Sequence, residues 1–412
     1  MKMIFSRFTN LYIDPQMGAD ERRWKAFMYT HDETGNSVTL CVHLCKTLKL
    51  LAVFFLGLFF IPVHAEEWSR FRGDAQSTGV ANSSLPAELD VLWTARIEIG
   101  IESTAAIWQD AVYVGGLDEN LYALDFDSGA IKWTYSATGE IKSSPLVFEK
   151  TVFFGDGNGV FHAVDAQTGN ALWTFQTDGE IISSANATGG RVLFGSYDQF
   201  LYCLAPDDGS LLWKIETDGY VHGMPAIAQS HTLIAGCDGL LRVIDIVSGK
   251  EQSQIELGAY VGASAAVHQT RAYVGTYESQ VLCIDLDAKE IVWRYEHPQR
   301  KFPYVASPSV IPERVIVAGR DKMVHALDPD TGDVLWTYTS RSRFEASPVV
   351  VGDRVFAGTM DGKIVALNIE TGESDWEFVT GAGFIASPSM ARKRLIIGTT
   401  DGTLYCFGKA EE

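Results

Sequence analysis

The chain has 412 residues and a formal net charge of −19. It is long for one ordinary domain, so either several domains or one large repeat ring must absorb it. So acidic a surface repels nucleic acid, and six scattered cysteines with no Cys-Cys pair do not make a disulfide framework.

Residues 1–45 read as a non-repetitive N-terminal extension, with the start site placed too far upstream. Lys46 and Lys49 then precede a fourteen-residue apolar run, Leu50–Val63, and Val63-His64-Ala65 stands before Glu66-Glu67. That order predicts a signal peptide over 46–65, cleaved after Ala65, and a periplasmic or otherwise extracytoplasmic protein. The run is short for a membrane span, and an uncleaved anchor is the alternative. Residues 66–90 form a lead-in segment.

From residue 91 to 412 the chain repeats. Trp93, Trp133, Trp173 and Trp213 are spaced by 40 residues, Ser253 holds the next slot, and Trp293, Trp336 and Trp376 follow. A period of this size marks a repeat architecture. Ahead of most of these slots runs an Asp-x-x-Thr/Ser-Gly turn, as in Asp165–Gly169 and Asp328–Gly332. Short alternating apolar runs flank the turns and read as strands. For one repeat, four strands are expected, roughly at 143–147 (A), 151–154 (B), 160–165 (C) and 171–176 (D). Four antiparallel strands per period predict an all-β fold, an eight-bladed β-propeller. The strand C phrase occurs eight times, but Trp93 has no strand C before it and the last strand C has no Trp after it. The N-terminal strand at 91–97 is therefore expected to close the last blade, leaving no unpaired inner edge. The seven Trp are expected to pack between blades. Small residues on strand C, among them Cys203, Cys283 and Cys406, act as small hydrophobes.

The phrase Ala-x-Asp-x-x-Thr-Gly-x-x-x-Trp, best matched at Ala326–Trp336, resembles the pyrroloquinoline-quinone (PQQ) propeller repeat, and the likeness covers about residues 91–408. Trp68–Gly73 is similar to the lead-in of exported bacterial proteins of this repeat type. The family divides into PQQ-dependent dehydrogenases and non-enzymatic members, among them BamB, an eight-bladed scaffold of outer-membrane protein assembly. The adjacent cysteines and long insertions of the alcohol-oxidising dehydrogenases are missing. The resemblance therefore implies the non-enzymatic branch. Glu66, not Cys, follows Ala65, so a BamB-type lipid anchor is not implied.

No Gly-x-Ser-x-Gly elbow, Walker loop or His-Glu-x-x-His occurs, and the histidines after residue 65 are scattered singly. No catalytic, cofactor or metal residue is assigned. The ring Asp118, Asn158, Asp198, Asp238, Glu278, Asp321, Asp361 and Asp401 is read as turn-forming. The D-to-A loops vary more, and variable loops carry function. Their row reads Gly100, Glu140, Glu180, Tyr220, Tyr260, Tyr304, Arg343 and Gly383. Tyr220, Tyr260 and Tyr304, with His222, Arg300, Lys301, Arg320, Arg341 and Arg343, form the expected partner-binding set, since Tyr and Arg dominate binding hot spots. The expectation is a monomeric, exported, non-enzymatic propeller that binds a protein or peptide of the cell envelope, with no nucleic acid, no transmembrane span after cleavage and no cofactor. The alternatives are an oxidoreductase using PQQ with calcium, or its degenerate descendant, and a carbohydrate or small-ligand binder.

Overall fold

The computed structural model describes residues 67–410 and two short strands, Ala26–His31 and Ser37–Val42. Those two strands pair as an antiparallel hairpin, Ala26 opposite Val42, within a unit spanning Met1–His64. The expected signal segment at 46–65 lies outside the described residues, as does the rest of the extension.

Among the described residues every regular element is a strand, and from residue 90 onward they build eight four-stranded antiparallel blades. The second blade comprises Leu146–Phe148, Thr151–Gly155, Val160–Asp165 and Ala171–Gln176, each paired to the next. Strands B, C and D fall where the turns place them. Strand A starts three residues late. Ser143 replaces ladder pairing with a side-chain clasp: its hydroxyl donates to the Gly155 carbonyl at 2.7 Å and accepts the Gly155 N–H at 2.9 Å.

The last blade is Ser389–Ala391, Arg394–Gly398 and Thr403–Gly408, completed by Asp90–Arg96 with Cys406 opposite Trp93. The N-terminal strand closes the ring as the repeat count requires.

Each Trp docks across a blade boundary. The Nε1–H of Trp93, Trp133, Trp173, Trp213 and Trp336 donates to the carbonyl 33 residues ahead, on the next blade's C-to-D turn. The ring lies on that turn's glycine, which must be glycine twice over: Gly372 has φ +74, and a Cβ there would sit 2.5 Å from Trp336. The exception supports the rule. Ser253 offers no ring, and the glycine slot 36 residues on is Lys289, which takes φ 59 unhindered by any indole. A glycine is needed where φ is positive and an aromatic face presses on the turn; positive φ alone is tolerated.

The lead-in segment is more integral than its sequence suggests. Trp68 bridges Ile107 of the first blade. Val147, Ile227, Val267, Val310 and Val350, at one position of the inner strands of the second and the fourth to seventh blades, donate their N–H groups to Ser69, Ala75, Gln76, Thr78 and Gly79. Val80–Ala81 then pairs in parallel with Val350–Val351. The segment is a strap wound inside the ring, satisfying backbone donors that would otherwise face the channel. Arg72 is its buried pin: the guanidinium donates to the Pro348 and Pro308 carbonyls and to Ser309 Oγ at 2.8–2.9 Å. Burial without a carboxylate partner pulls its pKa down to about 9, although Asp74 acts in the opposite direction.

Candidate functional site

The B-to-C turns and D-to-A loops meet on one face, and eight backbone bonds fix their register. The N–H groups of Leu117, Gly157, Tyr197, Cys237, Tyr277, Arg320, Met360 and Thr400 donate to the carbonyls of Gly100, Glu140, Glu180, Tyr220, Tyr260, Pro303, Arg343 and Gly383. The sixth rim position is therefore Pro303, and the sequence expectation for Tyr304 is wrong. The sixth repeat is three residues longer, which moves Tyr304 into the row of Ile101, Ile141, Val221 and Phe344, all buried. Tyr304 is 1% exposed and its hydroxyl bonds Asp321 Oδ2 at 3.2 Å. It braces the buried His325–Asp321 pair, 2.7 Å apart, and cannot meet a partner.

The acidic ring forms turns. Asp198, Asp238 and Asp321 accept the N–H two residues ahead with one oxygen. With the other they hold Tyr202, Arg242 or His325 of strand C. In the second blade the carboxylate sits at Asp156 instead and holds His162. These groups bolt turns to strands.

Two patches remain on this face. The first is aromatic and spans the third to fifth blades. Tyr220 and Tyr260 are 48% and 60% exposed. Tyr220 stacks on Tyr197, ring centroids 4.5 Å apart. The Tyr197 hydroxyl lies 2.7 Å from His222 Nδ1, and burial holds the His222 pKa below its usual value. Tyr277, also exposed, joins them. Sequence reading missed Tyr197 and Tyr277, although their row is legible at the same period one turn away from Tyr220.

The second patch is basic and lies at the sixth and seventh blades. Arg300 reaches the Asp321 carbonyl and Lys301 pairs with Glu296. Arg320 forks onto Glu345 with both Nε and Nη2 at 2.9 Å, and Arg343 Nε meets the same carboxylate at 2.8 Å. A pocket of about 480 Å³ opens among Arg320, Lys322, Arg341, Arg343, Phe302 and Met360. Lys322, Phe302 and Met360 escaped the sequence reading because each is unremarkable alone.

At the centre lies a cavity of about 400 Å³ lined by Phe71 of the strap, Glu102, Lys142, His222 and Glu345. A hydroxyl girdle rings it. Backbone N–H groups at 104, 144, 224, 264, 307, 347 and 387 each donate to the hydroxyl of the next blade, from Ser144 round to Thr104. Met224 interrupts the girdle, and there Ser183 Oγ bonds the Gly223 carbonyl instead. Pyrroloquinoline quinone is a planar tricarboxylate. Here Glu102 and Glu345 face the cavity, Lys142 is paired with Glu140 at 2.9 Å, and burial disfavours the cationic form of His222. Among the described residues no three His, Cys, Asp or Glu side chains converge on a metal position. These residues do not fit a tricarboxylate held with calcium.

A family model of the PQQ-repeat type, described as outer membrane protein assembly factor BamB, matches residues 86–188, 178–252 and 237–411. BamB from Moraxella catarrhalis is similar in structure, with a TM-score of 0.68 at 20% identity, covering 79% of this chain and 99% of that one. The quinohemoprotein alcohol dehydrogenase from Comamonas testosteroni is similar too, with a TM-score of 0.73 at 14% identity, covering 85% and 82%. At such identities the likeness is one of fold. A search of curated protein sequences found no match.

Proposed function

Since the chain belongs to the family whose model is described as outer membrane protein assembly factor BamB, we propose that it is an exported, non-enzymatic scaffold of the cell envelope. It binds a protein partner through the face that carries Tyr220 and Tyr260. The carrying observation is the exposure of those two rings on the same face as a cationic pocket, on a protein whose net charge is −19. Large, half-exposed aromatic rings supply contact area at low entropic cost. The blades behind them supply rigidity, since the loops are tied by the eight rim bonds.

The test is capture from envelope extract. The variant Tyr220→Ala/Tyr260→Ala/Arg343→Ala is expected to lose the partner that wild type retains. Val247→Ser/Asp287→Ala, on exposed C-to-D turns of the opposite face, is expected to keep it. The reverse pattern refutes the assignment of the face. The rival reading, in which the central cavity takes PQQ, runs against the two carboxylates that line it. Addition of PQQ with calcium, followed by gel filtration and absorbance, decides between them. A quinone spectrum that co-elutes with the protein establishes the rival reading.

A further inference from the structure

We infer that the pocket at the sixth and seventh blades is an acidic-peptide site, with Lys322 and Arg341 as its free cations. This inference rests on the proposal that this face binds protein and names the chemistry of the segment bound.

The pocket is assembled by backbone ties rather than by chance proximity. Arg320 and Lys322 sit on the sixth blade's B-to-C turn, where Lys322 N–H donates to Gly319 and the Lys322 carbonyl accepts Ser340 N–H at 2.8 Å. That second bond brings Arg341 and Arg343, on the following D-to-A loop, alongside the turn. Met360 N–H donates to the Arg343 carbonyl at 3.0 Å, and Arg320 N–H to Pro303, next to Phe302. Four cations from two loops thus meet an apolar side chain from each neighbouring blade.

The charges are unequally spent. Glu345 absorbs Arg320 and Arg343 together. That leaves four cations against one carboxylate, and Lys322 and Arg341 take no part in the ion pairs among the described residues. Glu345 also pre-positions the two guanidinium forks it binds, so less entropy is lost when a second carboxylate arrives. Cations spread around a pocket of about 480 Å³ match carboxylates spaced along a peptide better than one compact phosphate. Phe302, half exposed, and Met360 give an apolar side chain of that peptide somewhere to rest. Elsewhere the protein is strongly acidic, so long-range repulsion directs an anionic segment away from the rest of the surface and toward this opening.

The experiment is fluorescence anisotropy of the purified protein with a fluorescein-labelled decapeptide alternating glutamate and leucine. A glutamine-for-glutamate version is the counter-probe. Lys322→Glu/Arg341→Glu is the variant, and Lys322→Gln/Arg341→Gln substitutes for it if the reversal fails to fold. The glutamate peptide is expected to bind. The variant should weaken it by about tenfold or more, added salt should weaken it further, and inorganic phosphate at equal ionic strength should compete no better than chloride. Equal binding of the glutamine peptide, or of the variant, overturns the inference. So does variant-sensitive sedimentation with phosphatidylglycerol vesicles without peptide binding, which makes the pocket a lipid-headgroup site. If wild type captures an envelope protein that the peptide fails to displace, the inference falls and the scaffold reading stands. If wild type captures nothing, the scaffold reading falls, and the anisotropy alone decides the site.

Discussion

Replacing Gly372 by Ala should destabilise the ring far more than replacing Gly352 by Ala, although both glycines have positive φ, +74 and +60. At Gly352 an added Cβ meets nothing within 4 Å, and non-glycine residues with positive φ hold the same turn position at Gln109, Glu149, Gln229, Gln269 and Arg392. Only the left-handed backbone cost remains, about 1–2 kcal/mol. At Gly372 the Cβ would stand 2.5 Å from Trp336 Cε3, well inside contact distance, so the ring must move. Moving it breaks the 2.8 Å bond from Trp336 Nε1 to the Ile369 carbonyl in a site only 8% exposed. An unmade buried hydrogen bond adds about 1–3 kcal/mol. Gly372→Ala should thus cost roughly 2–5 kcal/mol in all. Urea unfolding monitored by Trp fluorescence, with calorimetry alongside, reads both variants. The two should differ by about 1–3 kcal/mol, which is roughly 1–6 °C in melting temperature at about 1–2 °C per kcal/mol for a chain this long. Equal losses for the two would refute Trp docking as the reason for glycine in this turn.

The fifth blade offers the converse. Ser253→Trp alone should lower the melting temperature, because the Lys289 Cβ occupies the place of the missing glycine. Ser253→Trp with Lys289→Gly should raise it, and a double-mutant cycle without coupling would contradict this. The Asp156 carboxyl is pushed up by burial but pulled further down by hydrogen bonds from His162, Thr138 and Val160, to about 2. A depressed folded pKa contributes stability above the ordinary carboxylate value and loses it as pH falls. The advantage of wild type over Asp156→Asn should therefore be flat above about pH 5 and vanish between about pH 4 and 2; urea midpoints against pH check this. Burial pushes the Cys203 and Cys406 thiols up to about 12, while Cys237 is half-buried on the candidate face. Maleimide should label Cys237 first among the described cysteines in the native state, and equal labelling of Cys203 would show that the ring opens.

The propeller was legible because its signal is redundant. Eight copies of one strand phrase and seven Trp on a ruler outvote any local irregularity such as Ser253. The rim was legible only where the ruler held. Three extra residues near 297–303 shift the sixth loop, and the Tyr one position beyond the true slot continues the Tyr220–Tyr260 pattern in sequence only. Anchoring the count on the serine row, Ser264 to Ser307, would have placed Pro303 correctly. The strap at 67–81 was opaque for a different reason. It occurs once, and its bonds run from backbone N–H groups of inner strands to its carbonyls, which leave no side-chain pattern. Lys322 and Met360 escaped likewise, because the pocket is a property of two neighbouring loops and not of either sequence.

The clasp between the two ends of the ring sets a waiting time. Arg96 and Thr403, bonded across the last blade, are 307 residues apart in the chain. At about 5–20 residues per second of synthesis, the strand carrying Trp93 exists for roughly 15–60 seconds before its partner strand has been made. Its indole finds its acceptor, the Phe126 carbonyl, only 33 residues later, but throughout that interval its backbone edge has no native mate, and the first blade has no neighbour on one side. Local blades can form early, since their strands are adjacent in sequence, yet the cooperative object cannot. The nascent protein is thus an open chain of blades whose strand at 90–96 keeps an unpaired edge, the kind of edge that invites wrong pairing, until the last strand is made.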